Sequence, residues 1–181
     1  MSNVSAEVEN PVRLAGLRRL MLLDTPPNPA FDRLTRLACH LLEAPIAMLT
    51  LVDAERQFFL SAAGLPEPFG SGGHTPLEYS ICQHAVANRQ PLLIEDARTD
   101  PLVSHNPAVT QLGLTAYLGI PLITPEGHAV GTLCVVDVVP REWSDAQLAL
   151  LADLVEITMD EVRLHLHLRL ASHRRKSVPH R

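Results

Sequence analysis

The spacing of apolar residues predicts two helices at the start of the chain. Each begins with an asparagine followed by a proline, at Asn10 and Asn28, and these residue types favour the cap and the first turn of a helix. The first helix carries Leu14 and Leu17 on one apolar stripe and ends at the "DTPP" segment, because proline cannot continue a helix. The second helix ends before Pro45.

The pattern then changes from helical spacing to short apolar runs that are typical of strands. Residues 46–52, "IAMLTLV", predict a strand buried on both faces, and residues 56–64, "RQFFLSAAG", predict a second strand paired with it in a hairpin. A loop rich in Gly and Pro follows over residues 65–76, and residues 78–88 are predicted to be helical.

The second half of the chain contains a further hairpin. "PLLIED" predicts a short strand, and residues 97–107 predict a polar loop. "TAYLGIPLI" and "HAVGTLCVVDV" predict two strands joined by a turn at residues 124–127. Two hairpins without regular alternation of strand and helix predict an α+β fold built on an antiparallel sheet.

The last helix is the most clearly marked element. Ser144 and Gln147 form a Ser-x-x-Gln capping box at its start. Two apolar rows run down the helix, namely Leu148, Leu151, Val155 and Val162 in one and Leu150, Leu154, Ile157, Leu164 and Leu168 in the other. One row is enough to cover a sheet, so the second row predicts contact with the same helix of another subunit. The helix is predicted to extend to about Leu170.

Composition narrows the class of protein. With 181 residues, 46% of them apolar, the chain predicts one globular domain over residues 11–170, between a disordered segment at 1–10 and a basic, disordered tail at 171–181. A net charge of −5 disfavours nucleic acid as a partner, and no apolar run is long enough to enter a membrane as a span. Three widely spaced cysteines and no signal-peptide pattern indicate a reducing, cytoplasmic setting.

Six segments, in this order, resemble the GAF domain of bacterial sensor proteins, which is often fused to histidine kinases or diguanylate cyclases. They are "LLDTPPNPAFDRLTRLA", "APIAMLTLVDAERQFFLSAAGL", "SICQHAV", "PLLIEDARTDP", "YLGIPLITPEGHAVGTLCVVD" and "WSDAQLALLADL". Together they cover about residues 12–160. No single segment is decisive, but the ordered set is specific.

The resemblance implies a GAF/PAS-like sheet of about six antiparallel strands, with the N- and C-terminal helices on one face and a ligand pocket on the other. It also implies a homodimer formed through the first and last helices, whose candidate interface residues are Leu14, Leu17, Leu150, Leu154, Ile157 and Leu164. The function it implies is regulatory rather than enzymatic. We expect a small-molecule sensor, with no resident cofactor, that passes its signal to a separate kinase or cyclase.

The segment "SICQHAV" places Cys82 and His84 two positions apart. Successive helical residues turn by about 100°, so these side chains point roughly 160° apart and do not bind one metal ion together. No Cys-x-x-Cys pair supports a zinc site. We therefore expect no metal here, with Cys82 facing the interior and His84 on the flank of the helix.

Two other classes of function remain open alternatives. Phytochrome-like GAF domains attach a bilin to a cysteine that a histidine follows directly, whereas Gln83 intervenes here, and haem would need one of the loop histidines His74, His84, His105 or His128. Free-methionine-sulfoxide reductases are enzymes with the GAF fold, for which Cys82 and Cys134 are the candidates. Neither cysteine lies in a segment that resembles that enzyme's, and no catalytic motif is present.

Candidate pocket residues follow from the strand alternation and from the loops. Tyr117 and Gly119 share the face of their strand opposite the sheet–helix core, so Tyr117 is predicted to face the pocket. Further candidates come from the second strand, the helix at 78–88 and the loop at 97–107. The full set of predicted ligand-binding residues is Phe59, Tyr79, Cys82, His84, Asp96, His105 and Tyr117.

Overall fold

The computed structural model describes residues 4–66 and 69–176. Its helices are α1 (Val4–Val8), α2 (Pro11–Arg19), α3 (Pro29–Leu42), α4 (Cys82–Asn88), α5 (Pro107–Thr110) and α6 (Asp145–Lys176). Its strands are β1 (Ile46–Val52), β2 (Arg56–Ala63), β3 (His74–Pro76), β4 (Leu92–Ile94), β5 (Ala116–Ile123) and β6 (Ala129–Asp137). A 3₁₀ turn over Leu77–Tyr79 precedes α4.

The six strands form one sheet in the order β3-β2-β1-β6-β5-β4, and every described pairing is antiparallel. Both predicted hairpins, β1–β2 and β5–β6, are present. The turn between β5 and β6 is closed by a bond from the Gly127 amide to the Thr124 carbonyl. The predicted α+β architecture with about six antiparallel strands is therefore confirmed.

One face of the sheet is covered by α2, α3 and α6. Inward residues of the central strands, such as Leu49, Leu118 and Leu133, pack there against Phe31 of α3 and Leu151 of α6. This cluster is apolar and mostly aliphatic, with Phe31, Phe58 and Trp143 as its aromatic members, because each of these helices presents apolar residues to alternate residues of the strands. We call this side of the sheet the helix face.

The caps predicted from sequence are confirmed. The backbone amide of Val12 donates to the side-chain oxygen of Asn10 at 2.9 Å. The backbone amide of Ala30 donates to the side-chain oxygen of Asn28, also at 2.9 Å. The amide of Gln147 donates to the hydroxyl of Ser144 and the Gln147 side chain accepts from the Ser144 amide, which completes the capping box.

The predicted disorder over residues 1–10 is wrong for residues 4–8, which form α1. Val8 is fully buried against α4, and its carbonyl accepts hydrogen bonds from the guanidinium of Arg13. The same guanidinium, itself buried, donates to the carbonyls of Val52 at 2.8 Å and Ala129 at 3.3 Å. Arg13 thus fastens the N-terminal segment to the ends of two strands.

The last helix is longer than predicted. It continues to Lys176, through the period-two segment at 163–170 and into the predicted tail, while residues 177–181 lie outside the described part. At about 1.5 Å per residue its length is roughly 48 Å. None of the helices in the described ranges is both long and apolar enough to cross a membrane.

Three of the predicted dimer-interface residues are instead part of this chain's own core. Leu14 and Leu17 of α2 and Leu154 of α6 are buried on the helix face, because both helices contribute apolar residues to that core. The other three candidates remain on the surface of α6: Leu150 is 38%, Ile157 53% and Leu164 51% exposed. The second apolar row therefore exists, with Leu154 turned inward.

Candidate functional site

The opposite face of the sheet carries a cavity of about 140 Å³. Its walls come from outward residues of the strands, the segment after β2, the 3₁₀ turn, the start of α4, and α5 with the segment that follows it. We call this side of the sheet the pocket face. Most of the lining is apolar, and no described lining residue is Asp, Glu, His, Lys or Arg.

Four of the seven predicted ligand-binding residues line this cavity. Phe59 projects from β2, Tyr117 from β5, Cys82 from the start of α4, and Tyr79 from the 3₁₀ turn. Tyr117 is fully buried. It lies on the face of β5 opposite the core residue Leu118, because successive side chains of a strand alternate between its faces. Sequence spacing therefore placed the strand residues on the correct face.

The other three predicted residues do not line the cavity. His84 lies half-buried on α4, where burial lowers the pKa of its imidazole and nearby Asp100 partly offsets the shift. Asp96 accepts two side-chain hydrogen bonds from Arg98 at 2.8 and 2.7 Å, and His105 is exposed. Asp96 thus forms hydrogen bonds within its own turn, as acidic residues in turns commonly do.

A pair of contacts holds the rim of the cavity together. The hydroxyl of Tyr79 donates to the side-chain oxygen of Gln111 at 2.8 Å, and the Asn106 side-chain amide donates to the Glu78 carbonyl at 3.0 Å. Both contacts join the 3₁₀ turn to the region around α5. The 3₁₀ turn, which carries the lining residue Tyr79, is therefore held to the region around α5 by hydrogen bonds that involve side chains.

Thr75 is a lining residue whose hydroxyl is buried and without a hydrogen-bond partner, and no other lining residue in the described ranges shares this property. The residue is 5% exposed and lies in β3, the short edge strand. An unpaired buried hydroxyl costs about 1–3 kcal/mol, so such groups are normally satisfied by protein, water or a ligand. Its neighbour Gln57 differs, since it accepts a short hydrogen bond from Ser80.

Beneath the cavity lies a group of buried sulfur and oxygen atoms that we call the thiol–hydroxyl cluster: Cys82, Cys134, Tyr117, Thr50 and Thr132. The sulfur atoms of Cys82 and Cys134 are 3.9 Å apart, and the Tyr117 hydroxyl donates to the Cys82 sulfur at 3.3 Å. The two threonine hydroxyls are 3.1 Å apart across β1 and β6. Polar atoms thus occupy the centre of an otherwise apolar face.

The cluster separates the pKa values of its two thiols. Burial raises the pKa of Cys82, but hydrogen bonds from Cys134, Thr132, Tyr117 and Thr50 outweigh it and leave the pKa below its ordinary range. Burial raises the pKa of Cys134, and the neighbouring Cys82 raises it further. The hydrogen bond from the Tyr117 hydroxyl to the Cys82 sulfur favours a thiolate at Cys82 over one at Cys134.

A glycine makes room for the tyrosine hydroxyl at this cluster. A Cβ atom at Gly119 would lie 2.2 Å from the Tyr117 hydroxyl oxygen and 2.5 Å from the ring carbon that bears it. Real Cβ atoms do not approach this closely, so the Tyr117 side chain can lie along its own strand only because residue 119 has no side chain.

The described residues do not assemble a metal centre. Within residues 4–66 and 69–176, no group of three or more His, Cys, Asp or Glu side chains could hold an ion. The chemistry available to the cavity is therefore hydrogen bonding from hydroxyls and one amide, apolar contact, and the reactivity of the Cys82 thiol.

The family model of the GAF domain matches residues 26–161 of the chain. The chain belongs to the GAF domain family. The match begins just before α3 and ends within α6, so it includes the whole sheet and the cavity. The resemblance seen in the six sequence segments is confirmed.

Known proteins with this domain include enzymes and sensors. A cyclic di-GMP phosphodiesterase of Pseudomonas aeruginosa is 30% identical over 155 residues, which are 84% of this chain and 25% of that protein. The chain thus spans about a quarter of the length of this curated relative.

Two solved GAF domains illustrate the fold. The GAF domain of an Acinetobacter phosphoenolpyruvate-protein phosphotransferase has a TM-score of 0.60 at 15% identity and covers 90% of this chain and 98% of its own. The blue-light absorbing form of the Thermosynechococcus elongatus PixJ GAF domain has a TM-score of 0.61 at 15% identity, with coverages of 92% and 98%. At these identities the likeness concerns the fold alone.

Sequence reasoning missed several lining residues of this GAF domain. Gln57 and Met48 lie on the same strand faces as Phe59 and Thr50, so strand alternation was the signal that could have found them. Thr75 lies in the predicted loop at 65–76, because β3 is only three residues long and follows a segment rich in Gly and Pro. The short helix α5 was missed although Asn106-Pro107 repeats the capping pattern of α2 and α3.

Proposed function

We propose that this GAF domain is a non-enzymatic sensory module that binds a small, uncharged, largely apolar molecule in the cavity of its pocket face. The observation that carries the proposal is the lining: it is apolar, has no charged side chain among the described residues, and contains one unpaired buried hydroxyl, Thr75. A ligand with one hydrogen-bonding group would satisfy that hydroxyl.

The lining argues against an anionic ligand. A phosphate or carboxylate group buried without a cationic partner loses its hydration with nothing to replace it. Cyclic nucleotides are therefore poor candidates for this cavity, even though the Pseudomonas relative is named for cyclic di-GMP. The volume of about 140 Å³ is similar to an apolar protein cavity of roughly 150 Å³ that holds benzene, so a one-ring molecule is the right size.

A tetrapyrrole fits this cavity poorly. It is several times larger than the space, and no histidine is among the described residues that line it. The bilin and haem alternatives would each need a wider pocket with a different lining. The alternative of a redox enzyme depends on Cys82, which does line the cavity.

We also propose a homodimer that acts in bacterial signal transduction with a separate kinase or cyclase as output partner. Support for the dimer comes from Leu150, Ile157 and Leu164, which remain exposed along α6 and need a partner surface. The Ile157→Glu variant is expected to be a monomer by light scattering, whereas Glu156→Gln, an exposed neighbour, leaves the dimer intact. A cytoplasmic location agrees with three free cysteines.

The proposed ligand class is tested by three one-ring probes: phenol, toluene and benzoate. Binding is followed by two-dimensional NMR of the amide and methyl groups. We expect phenol and toluene to shift resonances of Met48, Phe59 and Tyr117 saturably, and benzoate to leave them in place. A benzoate affinity equal to that of phenol would contradict the uncharged ligand class.

The hydroxyl of Thr75 is tested by Thr75→Val, which keeps the shape of the side chain. A lost hydrogen bond of about 0.5–1.5 kcal/mol predicts phenol affinity reduced roughly 2- to 10-fold, with toluene affinity unchanged. The control is Thr158→Val, whose buried hydroxyl bonds to the Leu154 carbonyl within α6, far from the cavity. Equal losses for phenol and toluene in Thr75→Val would remove Thr75 from ligand recognition.

A further inference from the structure

The thiol–hydroxyl cluster contains two cysteines that the ligand-binding function does not require as a pair. Their sulfur atoms are 3.9 Å apart, although the residues are separated by 52 positions and lie on different elements, α4 and β6. A disulfide needs sulfur atoms at about 2.05 Å, so the two side chains must approach by roughly 2 Å. Both sulfurs face each other across one packing interface without an intervening side chain.

The two thiols have different access to small molecules. Cys82 lines the cavity, whereas Cys134 is fully buried in the sheet behind it. The Tyr117 hydroxyl donates to the Cys82 sulfur, which stabilises a thiolate there, and the Cys134 sulfur lies 3.6 Å from the Met48 carbonyl oxygen. The Cys82 sulfur is thus placed to meet a reactant in the cavity. The Cys134 sulfur is placed to react with the oxidised Cys82 sulfur.

The third cysteine provides a contrast within the same chain. Cys39 lies half-buried on α3, on the helix face, and burial raises the pKa of its thiol. No bond to another cysteine involves it, and all three cysteines are free. Burial without stabilising donors makes a thiol unreactive, so Cys39 serves as the internal reference.

We propose that Cys82 and Cys134 form a peroxide-reactive dithiol that closes to an intramolecular disulfide beneath the cavity. The Cys82 thiolate attacks the terminal oxygen of a hydroperoxide; the S–O bond forms, the O–O bond breaks, and the alcohol or water leaves with a proton. The resulting sulfenic acid condenses with the Cys134 thiol, forming the S–S bond and releasing water. Each sulfur is oxidised by one electron overall, and the hydroperoxide is reduced by two.

The disulfide couples oxidation to the shape of the site. Cys82 is the first residue of α4, which has seven residues and packs against β6, β5 and α1. Drawing its sulfur toward Cys134 moves the start of α4 toward the sheet and removes space from the cavity that Cys82 lines. Oxidation is therefore expected to weaken binding of any ligand held there.

The test measures free thiols and intact mass after the reduced protein is treated with hydrogen peroxide. We expect two of the three thiols to disappear together, the intact mass to fall by two hydrogen atoms, and peptide mapping to find Cys82 joined to Cys134. The disulfide must be intramolecular, so non-reducing electrophoresis should show no covalent dimer. Three remaining thiols, or a disulfide that includes Cys39, would overturn the proposal.

Matched cysteine variants separate the two roles. Cys134→Ser should stop at the sulfenic acid, which dimedone captures at Cys82, while Cys82→Ser should keep both remaining thiols. Cys39→Ser is the control and should oxidise like the unaltered protein. Capture at Cys134 in Cys82→Ser, at the rate seen for Cys82, would contradict the assigned order.

The positioning role of Tyr117 is tested without changing a cysteine. Tyr117→Phe keeps the ring and removes the donor to Cys82, so alkylation of Cys82 by iodoacetamide at neutral pH should slow several-fold and recover at higher pH. The recovery distinguishes a changed pKa from a damaged fold, which circular dichroism also monitors. An unchanged pH profile would mean that the hydroxyl does not activate Cys82.

Discussion

The two faces of the sheet are built from alternate residues of the same strands, yet they are packed in different ways. On the helix face, Leu49, Leu118 and Leu133 meet three helices in a mostly aliphatic core. On the pocket face, neighbouring positions such as Met48 and Tyr117 surround a cavity, two thiols and several hydroxyls. One face stabilises the domain, and the other leaves free volume and polar atoms where a ligand can use them.

The largest expected difference between the faces is in stability after truncation. Leu49→Ala should lower the free energy of unfolding by about 3–4 kcal/mol, because it opens a void among fully packed neighbours. Met48→Ala, one residue earlier on β1 and facing the cavity, should cost about half as much, since the lost atoms border existing space.

Urea denaturation of both variants measures this comparison directly. The pair is matched, because the two residues share a strand and differ in the face they occupy. Equal destabilisation by the two substitutions would show that the pocket face is packed as tightly as the helix face.

A smaller effect is expected from the guanidinium that attaches the N-terminal segment to the pocket face. Arg13→Met leaves the carbonyls of Val8, Val52 and Ala129 without their donor and should cost about 2 kcal/mol. Hydrogen exchange at residues 4–8 should accelerate more than exchange in the central strands. Arg18→Met, exposed on the same helix, is the control and should change stability by less than about 0.5 kcal/mol.

The smallest expected effect is a pH dependence from His84 on the pocket face. Burial lowers the pKa of folded His84 below its ordinary value of 6.5, so the unfolded chain binds the proton first as pH falls. The stability that neutral His84 contributes is present above pH 6.5. It is lost as the pH falls from 6.5 toward the lower pKa of the folded imidazole. The unfolding free energy should decrease less between about pH 7.5 and 5.5 in His84→Gln than in the unaltered protein.

His165, on α6, provides the matched comparison for this experiment. Burial and the neighbouring Arg169 lower its pKa too, with Glu161 opposing the shift. His165→Gln should therefore also reduce the decrease in unfolding free energy between about pH 7.5 and 5.5. The reductions caused by His84→Gln and His165→Gln should add in the double variant. A pH dependence left unchanged by His84→Gln would mean that α4 opens locally and hydrates the imidazole.

Local sequence signals predicted most of the fold. Caps at Asn10, Asn28 and Ser144, together with strand alternation around Tyr117, depend on residues adjacent in sequence, and all are confirmed. The errors concern contacts between distant segments. Helix α1 packs on α4, which is more than 70 residues away in sequence, and five residues alone do not reveal that contact.

The same distinction explains the site predictions. Phe59 and Tyr117 were placed correctly, because a strand fixes the direction of every side chain. His84, Asp96 and His105 were chosen for their chemistry alone, and the fold directs them elsewhere. The 3.9 Å approach of Cys82 to Cys134 depends on how α4 packs on β6, and nothing in either segment encodes that distance.

The contact between Gly119 and Tyr117 restricts the order in which substitutions can accumulate in this domain. A methyl group at position 119 collides with the ring as well as with the hydroxyl of Tyr117, so even phenylalanine at 117 does not relieve the clash. Residue 117 must first become small before residue 119 can acquire any side chain. Homologues that keep Tyr117 are therefore expected to keep Gly119. Substitution of residue 119 is expected only where residue 117 is no longer aromatic.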